Sequence, residues 1–282
     1  MPMARIPFPN EIDLAIYHRN CPDGFGAAFA LWKVVPEAMF VSAHYGHEPP
    51  NVDGKRVAIV DFSYPRDVLE DMARRAEALI ILDHHKTAQE ALEGFPNAVF
   101  DMTQSGAMLT HKWCQDFVPV KKTFWQRLFS SPPKQVSTDP MEYAREAISR
   151  PASSLFFEYL QDRDLWHHAL PKTKEFSAGL TAVPFDFEEW DALSVESVIE
   201  KGKPVIEAIE REISPLIRKA RVVTLRGVDV LAVNYSGKHH SDLGHRLCEA
   251  TFKDNEKSPL KASLTWFLGD ENIFRCSLRS SE

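Results

Sequence analysis

The chain has 282 residues, 44% hydrophobic and 26% charged, which is long enough for two domains with separate cores. Its net charge of −7 argues against a global basic field for long duplex nucleic acid and leaves any small anionic ligand to local basic residues and cations. No apolar run reaches the ~18 residues of a membrane span, the opening MPMARIPFPNEIDLA lacks an apolar signal core, and Cys21, Cys114, Cys248 and Cys276 form no C-x-x-C pair, so a cytoplasmic chain without a membrane span is expected.

In chain order, residues 13–18 read as a first strand ending in His18, and Gly24 to Val35 as a helix. Met39 to Ala43 and residues 56–60 are the next strands, the second running straight into Asp61. Pro65 to Ala76 is a charged helix with Pro at its first turn. The apolar run 78–82 is a buried parallel strand that delivers Asp83-His84-His85. Ala98-Val99-Phe100 before Asp101 is a short fifth strand, and Ser105 to Phe117 a helix. This alternation predicts a doubly wound α/β fold with a mainly parallel sheet.

Residues 118–140 break the pattern with Pro, Ser and basic charge, as a loop or insertion. Lys121, Lys122, Arg127 and Lys134 stand there among Phe124, Trp125 and Phe129, a mixture suited to single-stranded nucleic acid, to a partner or to a membrane surface. Helical periodicity returns from Met141 and from Ser153 to Gln161. A helix over about 195–220, interrupted near Gly202-Lys203-Pro204, suits a connector, and the segment after Arg221 reads as strand, helix, strand, strand with a hairpin at Gly269 to Asn272. The expected organisation is a metal-binding catalytic domain over 1–185, a helical connector over 186–220 and a smaller α/β substrate-binding domain over 221–282.

Open α/β sheets bind ligands at the carboxyl ends of their strands. Here three strands would bring His18 with Asp23, Asp61, and Asp83-His84-His85 to one edge. Carboxylates and imidazoles without thiolates favour manganese, with magnesium as the alternative.

The stretches H-x-N-C-P-D-G at 18–24, V-D-F-S at 60–63, D-H-H-K at 83–86, S-G-A at 105–107 and Q-D-R-D-L-W at 161–166 together resemble the DHH phosphoesterase superfamily in order and spacing, over roughly residues 13–185. The C-terminal segment more faintly resembles the DHH-associated domain. Relatives in that superfamily include nanoRNases, single-strand exonucleases, cyclic-dinucleotide phosphodiesterases, bisphosphonucleotide phosphatases, exopolyphosphatases and manganese pyrophosphatases. The resemblance implies metal-dependent hydrolysis of a phosphoester or phosphoanhydride. Two divalent cations together lower the pKa of water and clamp phosphoryl oxygens.

Such a pair needs a bridging carboxylate, and Asp61 is the candidate. Asp23 and His84 would join it at one metal, with Asp162 matching the family's final carboxylate and Asp164 the close alternative, while His18 would hold the second metal. Asp83 would orient a histidine, although some relatives use it as a ligand, and His85 would serve as phosphate donor or general acid. Ser105 and Gly106 start a helix whose N–H groups either pack or face a phosphate, and Asp101 is a cap, an outer acid or a ligand. Arg279 with Ser277 and Ser280 would bind a substrate phosphate.

Two departures from the family pattern stand out. Many relatives carry Asp-x-Asp-Gly where this chain has Cys21-Pro22-Asp23-Gly24, so one carboxylate is absent; Asn20 could offer a neutral oxygen, Cys21 is expected to be structural because a thiolate suits manganese poorly, and one metal site should be weaker. The late glycine-rich G-G-G-H segment is also missing, with His245 in L-G-H-R as its early echo, so the substrate domain is shortened or differently built. The expected activity is cleavage of short oligonucleotides or linear dinucleotides to mononucleotides, with a homodimer compatible with the sequence. The alternatives are a polyphosphate or bisphosphonucleotide phosphatase, a cyclic-dinucleotide hydrolase, and a non-catalytic nucleotide binder with a decayed metal site.

Overall fold

The computed structural model describes residues 4–118, 137–149, 154–249, 262–269 and 272–280. The basic segment with Phe124 and Trp125 lies outside them, as do Asp270 and Glu271 of the expected hairpin. Two compact units divide at Gly202/Lys203.

In the first unit the strands are β1 (Leu14–His18), β2 (Met39–Ala43), β3 (Arg56–Val60), β4 (Ala78–Asp83) and β5 (Ala98–Phe100). They form one all-parallel sheet in the order β2-β1-β3-β4-β5. The chain thus reverses its direction of winding between β1 and β3, and an open sheet leaves a crevice at the carboxyl ends of such neighbours.

Both faces of the sheet are covered, which is why its strands read as continuous apolar runs rather than as alternating ones. Ala15, Ala58, Val60, Ile80 and Leu82 point into one core, and Leu14, Ile16, Val57, Ile59, Leu79 and Ile81 into the other. On the first face lie α1 (Pro22–Trp32), α4 (Gly106–Cys114) and α5 (Pro140–Ile148), contributing Ala27, Leu31, Leu109, Trp113, Tyr143 and Ala144. On the second, α2 (Arg66–Arg75) contributes Leu69, Met72 and Ala73. The short α3 (Lys86–Ala91) follows the Asp-His-His segment directly.

A third core joins α1 and α4 to α6 (Leu155–Asp164), α7 (Thr173–Leu180), α8 (Phe187–Asp191) and the start of α9 (Val195–Ile217). Phe25, Phe29, Phe157, Phe176 and Trp190 fill it. The expected break in α9 does not occur, because Pro204 and Pro215 are both carried inside the helix.

The second unit has β6 (Arg221–Leu225), β7 (Val228–Asn234), α10 (His240–Glu249), β8 (Ala262–Leu268) and β9 (Phe274–Ser280). Its sheet runs β6-β7-β8-β9, with β7 and β8 parallel and the outer pairs antiparallel. Ile213, Leu231, Val233, Leu243 and Leu247 form its core. Residues 221–235, read from the sequence as one strand, are two strands joined at Arg226-Gly227, both with positive φ. The chain is therefore an α/β protein with a smaller second α/β unit. No helix among the described residues is long and apolar enough to cross a membrane.

Candidate metal centre

The carboxyl ends of β1, β3 and β4 bring His18, Asp61 and Asp83-His84-His85 to the crevice where the winding reverses. Asp61 immediately follows β3 with φ 53°, a left-handed conformation uncommon outside glycine and often found at functional sites. Its side chain is 1% exposed. Neither carboxylate oxygen has a hydrogen-bond partner among the described residues. His84 Nε2 lies 3.1 Å from Oδ1 and His18 Nδ1 3.7 Å from Oδ2.

The start of α1 adds Asp23, and the end of α6 adds Asp164. Asp23 Oδ2 is 3.6 Å and Asp164 Oδ2 3.7 Å from His84 Nε2. Three sets of ligand atoms each lie within 4.8 Å of one another: His18, Cys21 and Asp61; Asp61, His84 and His85; Asp23, His84 and Asp164. Asp61 and His84 each belong to two of the sets, so these two side chains link the three groups.

Electrostatics set this cluster apart from an ordinary surface. Burial, reinforced by the charges of Asp61 and Asp164, pushes Asp23 well above the usual carboxylate range. Burial and Asp61 also raise Asp164. Burial works against a charge on His84, but Asp61, Asp23 and Asp164 outweigh it and hold that imidazole at about 9. Burial likewise opposes the charge of Asp61, and the imidazoles of His18 and His84 outweigh it, so Asp61 stays low. Two buried carboxylates, Asp23 and Asp61, and the partly buried Asp164 face one imidazolium, a charge balance that a divalent cation would satisfy better than a proton. The orphaned oxygens of Asp61 and this donor set of oxygen and imidazole atoms fit manganese or magnesium.

Asp162 is not part of the cluster, and Asp164 takes the place expected for it. The Asp162 carboxylate turns away and accepts hydrogen bonds from Ala169 N–H at 2.8 Å, Leu170 N–H at 3.1 Å and the Thr173 hydroxyl. It knits the loop that follows α6.

Asp83 is fully buried and saturated. Oδ1 accepts from His84 N–H at 2.7 Å and His85 N–H at 3.2 Å and lies 2.7 Å from His85 Nδ1, while Oδ2 accepts from the Ser63 hydroxyl at 2.6 Å. The contact with Asp83 raises His85 above the usual imidazole value. Asp83 thus orients His85 rather than offering oxygens to the crevice. The Ser63 hydroxyl, which fixes Asp83 in turn, was not assigned a role from the sequence, although V-D-F-S contains it.

The start of α4 packs against the cluster instead of presenting donors to a ligand. Gly106 N–H donates to Asp23 Oδ2 at 2.6 Å and Ala107 N–H to Asp23 Oδ1 at 3.1 Å. Ser105 N–H donates to Gln161 Oε1 at 3.2 Å, and the Ser105 hydroxyl caps Met108 N–H. Gly106 is needed for a second reason: a Cβ there would come 2.6 Å from Asp61 Oδ1. Gly24 is similarly confined, since its Cβ would meet the His18 carbonyl at 2.5 Å.

Cys21, in the place of the family's first carboxylate, is pushed up to about 12 by burial and by Asp61, so it remains a neutral thiol in the chain without a cation. Asn20 is exposed. Asp101 accepts from Thr103 N–H and hydroxyl and from Gln104 Nε2, and acts as a local cap.

Arg279, Ser277 and His245 belong to the second unit. Arg279 on β9 donates to the Ser241 hydroxyl and packs its aliphatic stem over Gly244. Ser277 pairs with Thr265 across β8 and β9, and His245 Nε2 lies 3.1 Å from Glu249 one helical turn on.

No family model matches the chain. It is 26% identical over 264 residues to the uncharacterized protein R106 of Acanthamoeba polyphaga mimivirus, an alignment that takes in 84% of this chain and 55% of that protein. The chain thus spans about half the length of this curated relative. Among solved structures, an uncharacterized protein from Helicobacter pylori G27 aligns with a TM-score of 0.39 and 9% identity, over 89% of this chain and 81% of that one.

Proposed function

We propose that the chain is a manganese-dependent phosphoesterase of the DHH type, with magnesium as the alternative ion, that hydrolyses short oligonucleotides or linear dinucleotides to mononucleotides. One observation carries this reading: a carboxylate, Asp61, with both oxygens buried and without hydrogen-bond partners among the described residues, set between two histidines and two further acids. In the chain without a cation the charge of Asp61 rests on the neighbouring imidazoles of His84 and His18, and a bound cation would take over that compensation. Asp61, Asp23, His84 and Asp164 would hold one cation, and Asp61 with His18 a second, more weakly because Cys21 stands where a carboxylate would serve and a soft sulfur ligand suits manganese poorly. The cations would supply a lowered pKa for water and charge neutralisation of the phosphoryl oxygens.

The chain's own residues account for the remainder. Water adds through its oxygen to phosphorus and releases one proton to solvent. The P–O bond to the leaving ribose oxygen breaks with its electron pair, and that oxygen takes a proton. His85, partly exposed and held in one orientation by Asp83, would give that proton and regain one from solvent. Burial of Asp23, Asp61 and Asp83 excludes bulk water from the base of the site.

The test is mononucleotide release from a 5′-phosphorylated diribonucleotide with added manganese, with the wild-type chain run beside Asp61→Asn. Release that is metal-dependent and lost in Asp61→Asn supports the reading. Bound manganese without turnover of this substrate, inorganic polyphosphate or a 3′,5′-bisphosphonucleotide counts against these three substrates. Absence of both turnover and metal uptake overturns the metal centre itself and favours a non-catalytic nucleotide binder.

A further inference from the structure

Beside the carboxylate cluster the first unit has a cavity of about 250 Å³ that no step of the hydrolysis uses. Asp23 and Asp164 form one edge of it. Its walls are apolar: Phe176 and Leu180 of α7 and the ring of Tyr159, whose hydroxyl is turned away to the Pro171 carbonyl. Trp166, Arg163 and Ser177 also line it. Small-molecule pockets run from roughly 300 to 1,000 Å³, so a cavity of this size suits one flat ring system rather than a whole dinucleotide.

Trp166 is held in an unusual way. It is 38% exposed and carries a φ of 56°, a left-handed conformation that is a true outlier for so bulky a residue. The surrounding loop enforces it. Trp166 N–H donates to the Arg163 carbonyl, the Asp162 carbonyl accepts from His167 and His168 N–H, and the Asp162 carboxylate holds the next two residues. The Arg163 guanidinium lies 4.3 Å from the Trp166 ring centroid and His168 packs edge-on to the same ring. A large aromatic surface is thus kept partly exposed, in a fixed orientation, beside the acids of the candidate metal centre.

We propose that this cavity is a nucleobase subsite, in which the base attached to the scissile phosphate stacks on Trp166. The proposal rests on the phosphoesterase reading for the place of the phosphate, and deepens it: the substrate would be a nucleotide rather than a base-free polyphosphate. Stacking on an aromatic side chain tolerates every base, because each has a π-face. The subsite would therefore confer preference for nucleotides without strong sequence preference.

The experiment is equilibrium binding to the whole chain, with manganese, of adenosine 5′-monophosphate and of ribose 5-phosphate, which keeps the phosphate and lacks the base. The wild type is expected to favour the nucleotide by about tenfold or more. Trp166→Ala should bring the two ligands to within about twofold, with manganese uptake and ribose 5-phosphate binding unchanged, and Trp166→Phe should restore part of the preference. Ser177→Phe, which fills the cavity from the wall of α7 and leaves the loop alone, should abolish it too.

A preference that survives both Trp166→Ala and Ser177→Phe, or a wild type with no preference at all, overturns the subsite, and intact manganese and ribose 5-phosphate binding would then leave the phosphoesterase reading standing. Nucleotide preference that depends on Trp166 in a chain that takes up no manganese supports the subsite and sinks the metal centre instead.

Discussion

Gly106 sits so close to Asp61 that a Cβ on the glycine would come 2.4 Å from the aspartate Cβ and 2.6 Å from its Oδ1. The helix start that receives the Asp23 carboxylate therefore also fixes where the Asp61 carboxylate can be. Gly106→Ala should push Asp61 out of register with His84 and His18. The expected outcome is a loss of about 1–3 kcal/mol from overpacking, and a fall in manganese affinity of about tenfold or more. Urea unfolding and the titration of free manganese by electron paramagnetic resonance would measure the two effects separately.

Asp162 and Asp164 stand two positions apart at the end of α6 and have opposite relations to stability. Asp162 accepts two backbone N–H groups and a buried hydroxyl, so Asp162→Ala leaves unsatisfied donors and should cost about 2–3 kcal/mol. Asp164 is raised by burial and by Asp61, so its charge is unfavourable in the chain without a cation. Asp164→Asn should leave the metal-free protein as stable or more stable, while weakening manganese binding and hydrolysis. Thermal melts of the two variants with and without manganese distinguish the roles: manganese should stabilise Asp162→Ala and have little effect on Asp164→Asn.

Much of the fold was legible because a sheet covered on both faces writes itself as uninterrupted apolar runs. Val57 to Val60 and Ala78 to Leu82 each end abruptly in an acid, which places both the strands and the edge they serve. The choice between Asp162 and Asp164 was not legible. Both lie in the last turn of α6, where periodicity no longer says which side chain faces the sheet edge. The involvement of Gly106 and Ala107 N–H with Asp23, 83 and 84 residues away, is a tertiary contact with no local signature. The turn between β6 and β7 was hidden because Arg226, φ 48°, occupies a position where asparagine or aspartate would have announced a hairpin. The short helices α3, α7 and α8 have too few residues to show a period.

Two glycines of the first unit are required for different physical reasons, and their alanine variants should show it. A Cβ on Gly179 of α7 would lie 1.9 Å from the Val198 carbonyl oxygen of α9, a backbone atom that cannot swing aside. Gly179→Ala should cost about 3 kcal/mol or more. Gly54 has φ 62° and nothing within 4 Å of its would-be Cβ, so Gly54→Ala should cost only the left-handed backbone penalty of about 1 kcal/mol. Equal losses in urea unfolding would contradict the close crossing of α7 and α9.

His111 on α4 should make the fold acid-sensitive independently of the candidate metal centre. Burial lowers its pKa to about 4, helped by the nearby Lys112 and Lys33, and its ring stacks on Phe157 with centroids 4.1 Å apart. The folded value is depressed below the ordinary imidazole value near 6.5, so the contribution to stability is fully present above about pH 6.5. As the pH falls from there toward about 4, the unfolded chain takes up a proton that the folded chain refuses, and stability is lost. His111→Phe keeps the stacked ring and removes the titration. Between about pH 7.5 and about pH 5 the wild type should lose about 2 kcal/mol more than His111→Phe, measured by urea unfolding at each pH. Parallel losses in the two proteins would mean that His111 is protonated in the fold and that its burial against Phe157 is incomplete.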